Sequence, residues 1–386
     1  MNNVKLKMGM IGGGKDAFIG AVHRIAANID GQIELVCGAL SINPEVGLTS
    51  GRELFLSDER IYSNYEEMII KESSLPADER IDFITIVTPN FAHFAPAMMA
   101  LEYGFNVVIE KPIALSLSEA LQLKEKVQET GLTLCLTHTY SGYPMVKQAR
   151  DMVQKGEIGN IRKVIVQYPQ GWLSTLTEKE GNSGAAWRTD PAKSGKSGSM
   201  GDIGTHAAHL AEYITGLEIS DVCADLNIVV QGRGLDDDGN VLLKFNNGAN
   251  GVLIATQIAA GEENALEIKI YGENGGLEWH QMEPNSLVLK RQNEPIQIYR
   301  TGEKYLSNAA THNTRVPAGH PEGYLEAFAN IYRNFASTLN AKKRNHEPSE
   351  LMLDFPTVEN GVRGMAFIDV VVKSAASDTK WTKFEY

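Results

Sequence analysis

Residues 198–214 read Gly-Ser-Met-Gly-Asp-Ile-Gly-Thr-His-Ala-Ala-His-Leu-Ala-Glu-Tyr-Ile. Ile203, Ala207, Leu210, Ala211 and Ile214 recur at the spacing of one helical face. At about 100° per residue, Asp202, His206, His209 and Tyr213 share an arc of roughly 60° beside that stripe. A carboxylate one turn from an imidazole orients a base and tunes its protonation. The same spacing suits a bound metal, or a solvated helix edge. No further Cys/His cluster completes a metal site, so none is expected.

Three other groups could do chemistry. Gly12-Gly13-Gly14-Lys15-Asp16-Ala17 follows an apolar run and precedes a helical pattern, and Gly12, Gly14 and Ala17 fit G-x-G-x-x-G/A. Glycines there permit a tight turn and close backbone approach, and the helix N-terminus, opening at Phe18, attracts a pyrophosphate. Thr88-Pro89-Asn90 with His93 follows one apolar strand, and Glu110-Lys111-Pro112 follows the next. Ligands of doubly wound sheets sit at such strand ends. Lys111 there could stabilise developing negative charge or pair with Glu110.

The elements that position these groups alternate. Strands are expected at Lys5–Ile11, Gln32–Leu40, Ile81–Val87, Asn106–Ile109 and Leu132–Thr137, with helices at Phe18–Ile29, Tyr65–Ile70, Phe94–Tyr103 and Glu119–Thr130. This is the pattern of an α/β doubly wound parallel sheet. The turn-rich stretch from His138 to Pro144 marks the boundary between a dinucleotide-binding domain, 1–138, and a second domain, 139–386. In an NAD site an acid is expected at the end of the second strand. Here Ser41 and Asn43 stand there, Glu45 lies beyond Pro44, and Arg52 is either a 2′-phosphate partner or an exposed helix arginine. NAD and NADP both remain open.

The second half begins with a helix, Met145–Gln154, and a strand, Lys163–Tyr168. A polar Gly/Ser/Lys-rich segment, 177–199, holds Trp187-Arg188-Thr189-Asp190-Pro191 and reads as a long functional loop. Beyond the opening helix the period changes to two. Seven strand candidates between Val222 and Tyr299, several joined by short turns such as Asn246-Asn247-Gly248, predict antiparallel neighbours. Tyr324–Leu339 and Thr357–Ser374 close the chain as helices. Asp236-Asp237-Asp238 reads as a solvated turn rather than a cation loop.

Composition limits the function classes. The 386 residues are 43% hydrophobic and 22% charged, as in ordinary globular proteins, with no apolar run of membrane-spanning length. The N-terminal residues lack a signal-peptide pattern, which predicts a cytoplasmic protein. Cys37, Cys135 and Cys223 are widely spaced in apolar surroundings, so reduced, buried thiols are expected. A formal charge of −12 argues against a nucleic-acid partner.

In order, G-x-G-x-x-A, T-P-N-x-x-H (88–93), E-K-P (110–112) and D-x-G-x-H (202–206) resemble the Gfo/Idh/MocA oxidoreductases over essentially the whole chain. Gly-Gly-Gly-x-x-Ala-Phe-Ile-Gly-x-Val-His-Arg (12–24), Ala-Trp-Arg-Thr-Asp-Pro (186–191) and Gly-His-Pro-Glu-Gly (319–323) are similar to a branch containing levoglucosan dehydrogenase and glycoside 3-dehydrogenases. The resemblance implies an N-terminal Rossmann domain and a C-terminal α/β domain with an open, largely antiparallel sheet whose face makes homodimers or homotetramers. It also implies a cis Lys111–Pro112 bond and a catalytic set of Lys111, Asp202 and His206.

In that set His206 takes the hydroxyl proton, Asp202 orients it, and Lys111 hydrogen-bonds the same oxygen while hydride leaves for NAD or NADP. Cofactor contacts are expected from Gly12, Gly14, Ala17, Phe18, Ser41, Thr88, Asn90, His93, Glu110, Lys111, Trp187 and Arg188. Sugar or cyclic polyol contacts are expected from Lys111, Tyr140, Tyr168, Gln170, Trp172, Asp202, His206, His209 and His320. The expected reaction is oxidation of a secondary hydroxyl of a sugar, glycoside, anhydrosugar or cyclic polyol to a ketone. The alternatives are a glycosidase or lyase using transient oxidation by held NAD, and a non-enzymatic NAD(P)-binding sensor.

Overall fold

A computed structural model describes residues 5–15 and 17–386; Asp16 of the glycine motif lies outside the described residues. The chain divides into two compact units, the residues up to Thr139 with Phe328–Val362, and Tyr140–Ala327 with Arg363–Tyr386.

In the first unit β1 (Leu6–Gly12), β2 (Ile33–Ala39), β3 (Phe83–Val87), β4 (Asn106–Ile109) and β5 (Leu134–Leu136) form a parallel sheet in the order β2-β1-β3-β4-β5. β3 is buried at every position, which is why it reads as an unbroken apolar run rather than an alternation. Helices α1 (Phe18–Ile29), α2 (Pro44–Glu53), α3 (Tyr65–Ser73), α4 (Phe94–Glu102) and α5 (Leu117–Thr130) connect the strands. Ser116 and Glu119 open α5 with a capping box, and Gly131 closes it at φ +67°.

α2 carries no apolar stripe, burying only Gly47, Ser50 and Gly51. Its signal is at its start: Pro44 opens the first turn and the Asn43 side chain accepts from the Glu45 and Val46 amides. The late stretch 328–362 completes this unit's core. Phe335 meets Phe83 edge-on at 5.1 Å, and the Tyr332 hydroxyl bonds the His23 ring (2.7 Å) and Thr85 (3.2 Å). Gly361 lies so close to Ile113 that a Cβ would come within 2.7 Å of its side chain.

The second unit carries α6 (Pro144–Gln154), β6 (Ile161–Pro169), α7 (Ser183–Arg188), α8 (Pro191–Ser194), α9 (Thr205–Thr215), β7 (Ile219–Asn227), β8 (Asp238–Phe245), β9 (Asn250–Thr256), β10 (Glu267–Gly272), β11 (Gly276–His280), β12 (Ser286–Lys290), β13 (Gln297–Arg300) and β14 (Thr382–Lys383). Its nine strands run β13-β12-β11-β10-β6-β9-β8-β7-β14, antiparallel except for the parallel pair β6–β9. β8 alternates strictly, burying Gly239, Val241, Leu243 and Phe245. These pack with Val164, Val166, Leu253, Ile268 and Trp279 and with α6 and α9 residues such as Met152, Leu210 and Ile214.

Four sequence expectations change. The segment 177–199 is folded into α7 and α8 rather than left as a loop, each held by a side-chain cap, from Asn182 and Asp190. Met200–Gly204 is a π-helical turn leading into α9, not the start of one continuous α-helix. A π turn closes its hydrogen bond over five residues instead of four, so the 100° step that grouped Asp202 with His206 does not hold there. A Cβ on Gly204 would lie 2.3 Å from the Met200 sulfur, so the glycine lets the buried Met200 side chain pack against the turn.

Asp236 and Asp237 are not a solvated turn. Asp236 accepts from the Ser197 and Ser199 hydroxyls (2.8 and 3.0 Å) and from the Gly198 and Met200 amides (2.8 and 3.0 Å), anchoring the start of the π turn. Asp237 is buried, receives the Val229 and Val230 amides, and pairs with Arg233. Cys37 and Cys135 are buried free thiols, while Cys223 is half-buried, on a strand whose burial is irregular. Among the described residues no helix is long and apolar enough to cross a membrane.

Candidate active site

β1 ends at Gly12 with φ +78°, and Gly13 follows at φ +72°, conformations that only glycine adopts without strain. Gly14 donates its amide to the Leu40 carbonyl at 3.1 Å, and a Cβ on it would lie 2.7 Å from that oxygen. Lys15 donates its amide to Ser50 Oγ at 2.9 Å. α1 then starts from Ala17 with no side-chain cap. An uncapped twelve-residue helix behind a turn that excludes side chains fits a dinucleotide pyrophosphate, whose oxygens would meet the positive helix end.

The close packing of helix on strand falls at Gly20, not at Ala17. A Cβ on Gly20 would come 2.4 Å from the Gly13 Cα. A glycine inside a helix costs about 1 kcal/mol against alanine, so its presence in the first turn and a half was the available signal. Arg24, one turn further, donates to the Gly13 carbonyl and fixes the turn from behind. Phe18 is exposed at the head of the helix.

At the end of β2, Ser41 Oγ accepts from the Asn43 amide at 3.1 Å, and Asn43 is occupied in capping α2. Arg52 makes a two-bond contact with Asp58 at 2.9 and 2.6 Å. At the ends of β3 and β4, Thr88 donates to the Ala92 carbonyl, and Asn90 is buried. The buried His93 ring reaches the Pro112 carbonyl at 2.7 Å through Nδ1 and the Thr88 carbonyl at 2.8 Å through Nε2. It therefore ties the 88–93 segment to the Lys111–Pro112 turn, whose peptide bond is cis. Burial pushes the His93 imidazole below its ordinary pKa, against the pull of those carbonyls.

Glu110 has both oxygens engaged. Oε1 receives the Thr137 hydroxyl and lies 2.9 Å from His23 Nε2, and Oε2 accepts the Lys111 amide at 3.3 Å. Burial alone would raise this carboxyl. The His23 contact and the Thr137 hydrogen bond, with Lys111 nearby, outweigh it and bring the pKa down to about 2. Lys111 itself is half-buried.

In the second unit the site is made of side chains. Asp202 Oδ2 accepts from Gln257 Nε2 at 2.9 Å and lies 3.3 Å from Arg188 Nε. The Arg188 guanidinium stacks over Trp187 at 4.2 Å and stands 5.8 Å from the Trp172 ring. Trp172 Nε1 donates to Gln170 Oε1 (3.0 Å), and Gln170 Nε2 donates to Asn264 Oδ1 (2.7 Å). Asn264, Tyr140 and Tyr168 close a ring of hydrogen bonds: Asn264 Nδ2 to the Tyr140 hydroxyl (3.1 Å), Tyr140 to Tyr168, and Tyr168 back to Asn264 Oδ1 (2.6 Å).

The two tyrosines are buried, with their hydroxyl protons committed to this ring, and burial pushes the Tyr168 phenol well up. Tyr140 presents its ring edge-on to the buried His206 at 4.9 Å. Gln257 and Asn264 belong to no motif and were not anticipated. His209 stacks on Tyr213 at 5.9 Å, one turn beyond His206. His320 is exposed, in a turn where its Nδ1 meets the Pro317 carbonyl at 3.1 Å. Among the described residues no three His, Cys, Asp or Glu side chains are grouped to hold a metal.

Residues 6–138 match the oxidoreductase family with an NAD-binding Rossmann fold, and residues 146–278 match the GFO/IDH/MocA C-terminal domain. The chain belongs to the Gfo/Idh/MocA oxidoreductase family. Its similarity to other proteins extends over almost its full length. The uncharacterized oxidoreductase YfiI of Bacillus subtilis (strain 168) is 34% identical over 383 residues, 98% of this chain and 97% of the relative.

An inositol dehydrogenase homolog from Azotobacter vinelandii, solved with NAD+, superimposes with a TM-score of 0.94 at 33% identity, covering 99% of this chain and 100% of that one. The same protein solved with NADH and myo-inositol gives 0.90 at 32%, again over 99% and 100%. Levoglucosan dehydrogenase of Pseudarthrobacter phenanthrenivorans is 28% identical over 302 residues, 70% of this chain and 73% of the relative. As a Gfo/Idh/MocA member, the chain is an oxidoreductase with an NAD-binding Rossmann domain, and the backbone cradle at Gly12–Gly14 is the part of it suited to the cofactor phosphates.

Proposed function

We propose that this oxidoreductase converts a secondary hydroxyl of a sugar, glycoside, anhydrosugar or cyclic polyol to a ketone, with NAD preferred over NADP. The observation that carries this reading is the second-unit cluster: an Asp202 carboxylate held by Gln257 and Arg188, in the turn before a buried His206. Tryptophan and amide side chains beside it are the chemistry that binds sugars, through ring faces and directed hydrogen bonds. The relatives named for inositol and levoglucosan support the substrate class.

When bound, the nicotinamide supplies the hydride acceptor. The chain's own residues do the rest. His206 takes the hydroxyl proton, and Asp202 keeps its ring oriented and favours the imidazolium that forms. Lys111 donates a hydrogen bond to the same oxygen as negative charge develops on it. Gly12, Gly14 and the head of α1 would hold the pyrophosphate, with Ser41, Thr88 and Asn90 at the neighbouring strand ends. NAD is favoured because Arg52, the basic residue near the end of β2, is already paired with Asp58.

The test is a screen of sugars, glycosides and cyclic polyols followed at 340 nm with NAD and NADP separately. Appearance of NADH with at least one of them, and a higher kcat/KM for NAD, is the expected result. No reduction with any compound while NAD binds would overturn the reading. Product formation without net NADH would replace it by transient oxidation on a held cofactor.

A further inference from the structure

β6 and β9 are the one parallel pair in the second sheet, with Pro169 opposite Thr256. Gln170 and Gln257 therefore leave their strands side by side, fixed by backbone bonds from Gln170 to the Thr256 carbonyl (2.8 Å) and from Gln257 to the Asp237 carbonyl (2.9 Å). Gln257 is buried, and its side-chain nitrogen faces two acceptors, Asp202 Oδ2 at 2.9 Å and Gln170 Oε1 at 3.4 Å.

The polarity of this chain follows from its far end. An indole nitrogen only donates, so Trp172 obliges Gln170 to present its oxygen to that side and its nitrogen to Asn264. That same oxygen then requires the NH2 of Gln257, not its carbonyl. The amide cannot be flipped without setting two oxygens against each other. Gln257 is thus left with one donor for Asp202, and a hydrogen bond to the ionised form favours a carboxylate.

We propose that Gln257 is a positioning residue for the oxidation: it holds Asp202 in one orientation as a carboxylate, with the direction of its amide set by Trp172 through Gln170. This rests on the assignment of Asp202 and His206 as the proton-handling pair. Arg188 Nε stands 3.3 Å from the same carboxylate oxygen as an ion-pair partner from the end of α7, while the hydrogen bond that orients it comes from Gln257 at the end of β9. Neither Gln257 nor Gln170 moves a proton in this account.

Two substitutions of the NAD-loaded enzyme test it. Gln257→Met keeps the length and removes the donor; Gln257→Glu sets a second carboxylate against Asp202. In a crystal structure of NAD-loaded Gln257→Met, the Asp202 carboxylate is expected to leave its wild-type orientation. With levoglucosan and myo-inositol as substrates, Gln257→Glu is expected to move the acid limb of the kcat/KM profile up by about one pH unit or more. Both variants are expected to lower kcat by about a hundredfold, with NAD binding unchanged.

An Asp202 that keeps its place in Gln257→Met overturns the inference, whether or not either substrate is oxidised and whether or not Gln257→Glu folds. An unmoved acid limb in a folded Gln257→Glu overturns it as well. Asp202→Asn with wild-type turnover instead overturns the catalytic assignment, and leaves the structural result for Gln257 to be read on its own.

Discussion

The cofactor cradle of the first unit and the polar cluster of the second are built from opposite materials. The cradle is backbone: positive-φ glycines, a helix end without a cap, and two glycines in contact. Side chains are excluded from it. The cluster is almost entirely side chain, drawn from positions 140, 168, 170, 172, 202, 257 and 264 and joined by hydrogen bonds from one residue to the next, with Arg188 added as an ion pair to Asp202. A backbone site tolerates no added atoms and recognises what ligands share, their phosphates. A side-chain network can be altered one residue at a time, and that suits discrimination among similar alcohols.

If that division holds, substitutions in the two regions separate binding from turnover. The largest effect is expected for His206→Ala and Lys111→Ala: kcat lower by about a hundred- to ten-thousandfold with NADH affinity, read by fluorescence titration, preserved. Loss of NADH binding in His206→Ala would break the comparison.

Glu110→Gln sharpens it, because this side chain serves the cradle unit's core. It replaces the carboxylate that receives the Thr137 hydroxyl and faces the buried His23, and is expected to cost about 1–3 kcal/mol in denaturant unfolding. The sign with pH follows from the depressed carboxyl. Its stabilisation is fully present above the ordinary value of 4.5 and is lost as pH falls toward about 2, so the wild type loses an acid-labile contribution that Glu110→Gln lacks.

Gly20→Ala adds the Cβ that meets Gly13. It is expected to cost about 1–3 kcal/mol and to appear as about ten- to hundredfold weaker NAD binding, with kcat at saturating NAD retained. The smallest effect belongs to Arg52→Ala, an exposed ion pair. Stability is expected to stay essentially unchanged in denaturant unfolding, because solvent screens an exposed pair, and the ratio of kcat/KM for NAD and NADP stays as it was.

The same division explains what could be read from the chain. The cradle lies within residues 12–20, where spacing and glycine content announce the turn, and the parallel sheet shows itself through buried apolar runs such as Phe83–Val87. Asp202 and His206 share one short segment and were visible as a pair. Gln257 and Asn264 were not, because their significance comes from the registry of β6 with β9 and from a loop after β9, neither of which has a sequence period. The π turn was hidden for a related reason. Its apolar spacing is that of an α-helix, while its shape depends on Asp236, more than thirty residues away, receiving the Gly198 and Met200 amides.

Residues 328–362 belong to the first unit although they follow nearly the whole of the second. During synthesis, the five parallel strands emerge long before Tyr332, Phe335 and Gly361 are available to cover them. The unit that holds the parallel strands can therefore complete its core only once residue 362 has been made, and an expressed fragment ending near 139 would present the uncovered Phe83 and Thr85 side of its core to solvent.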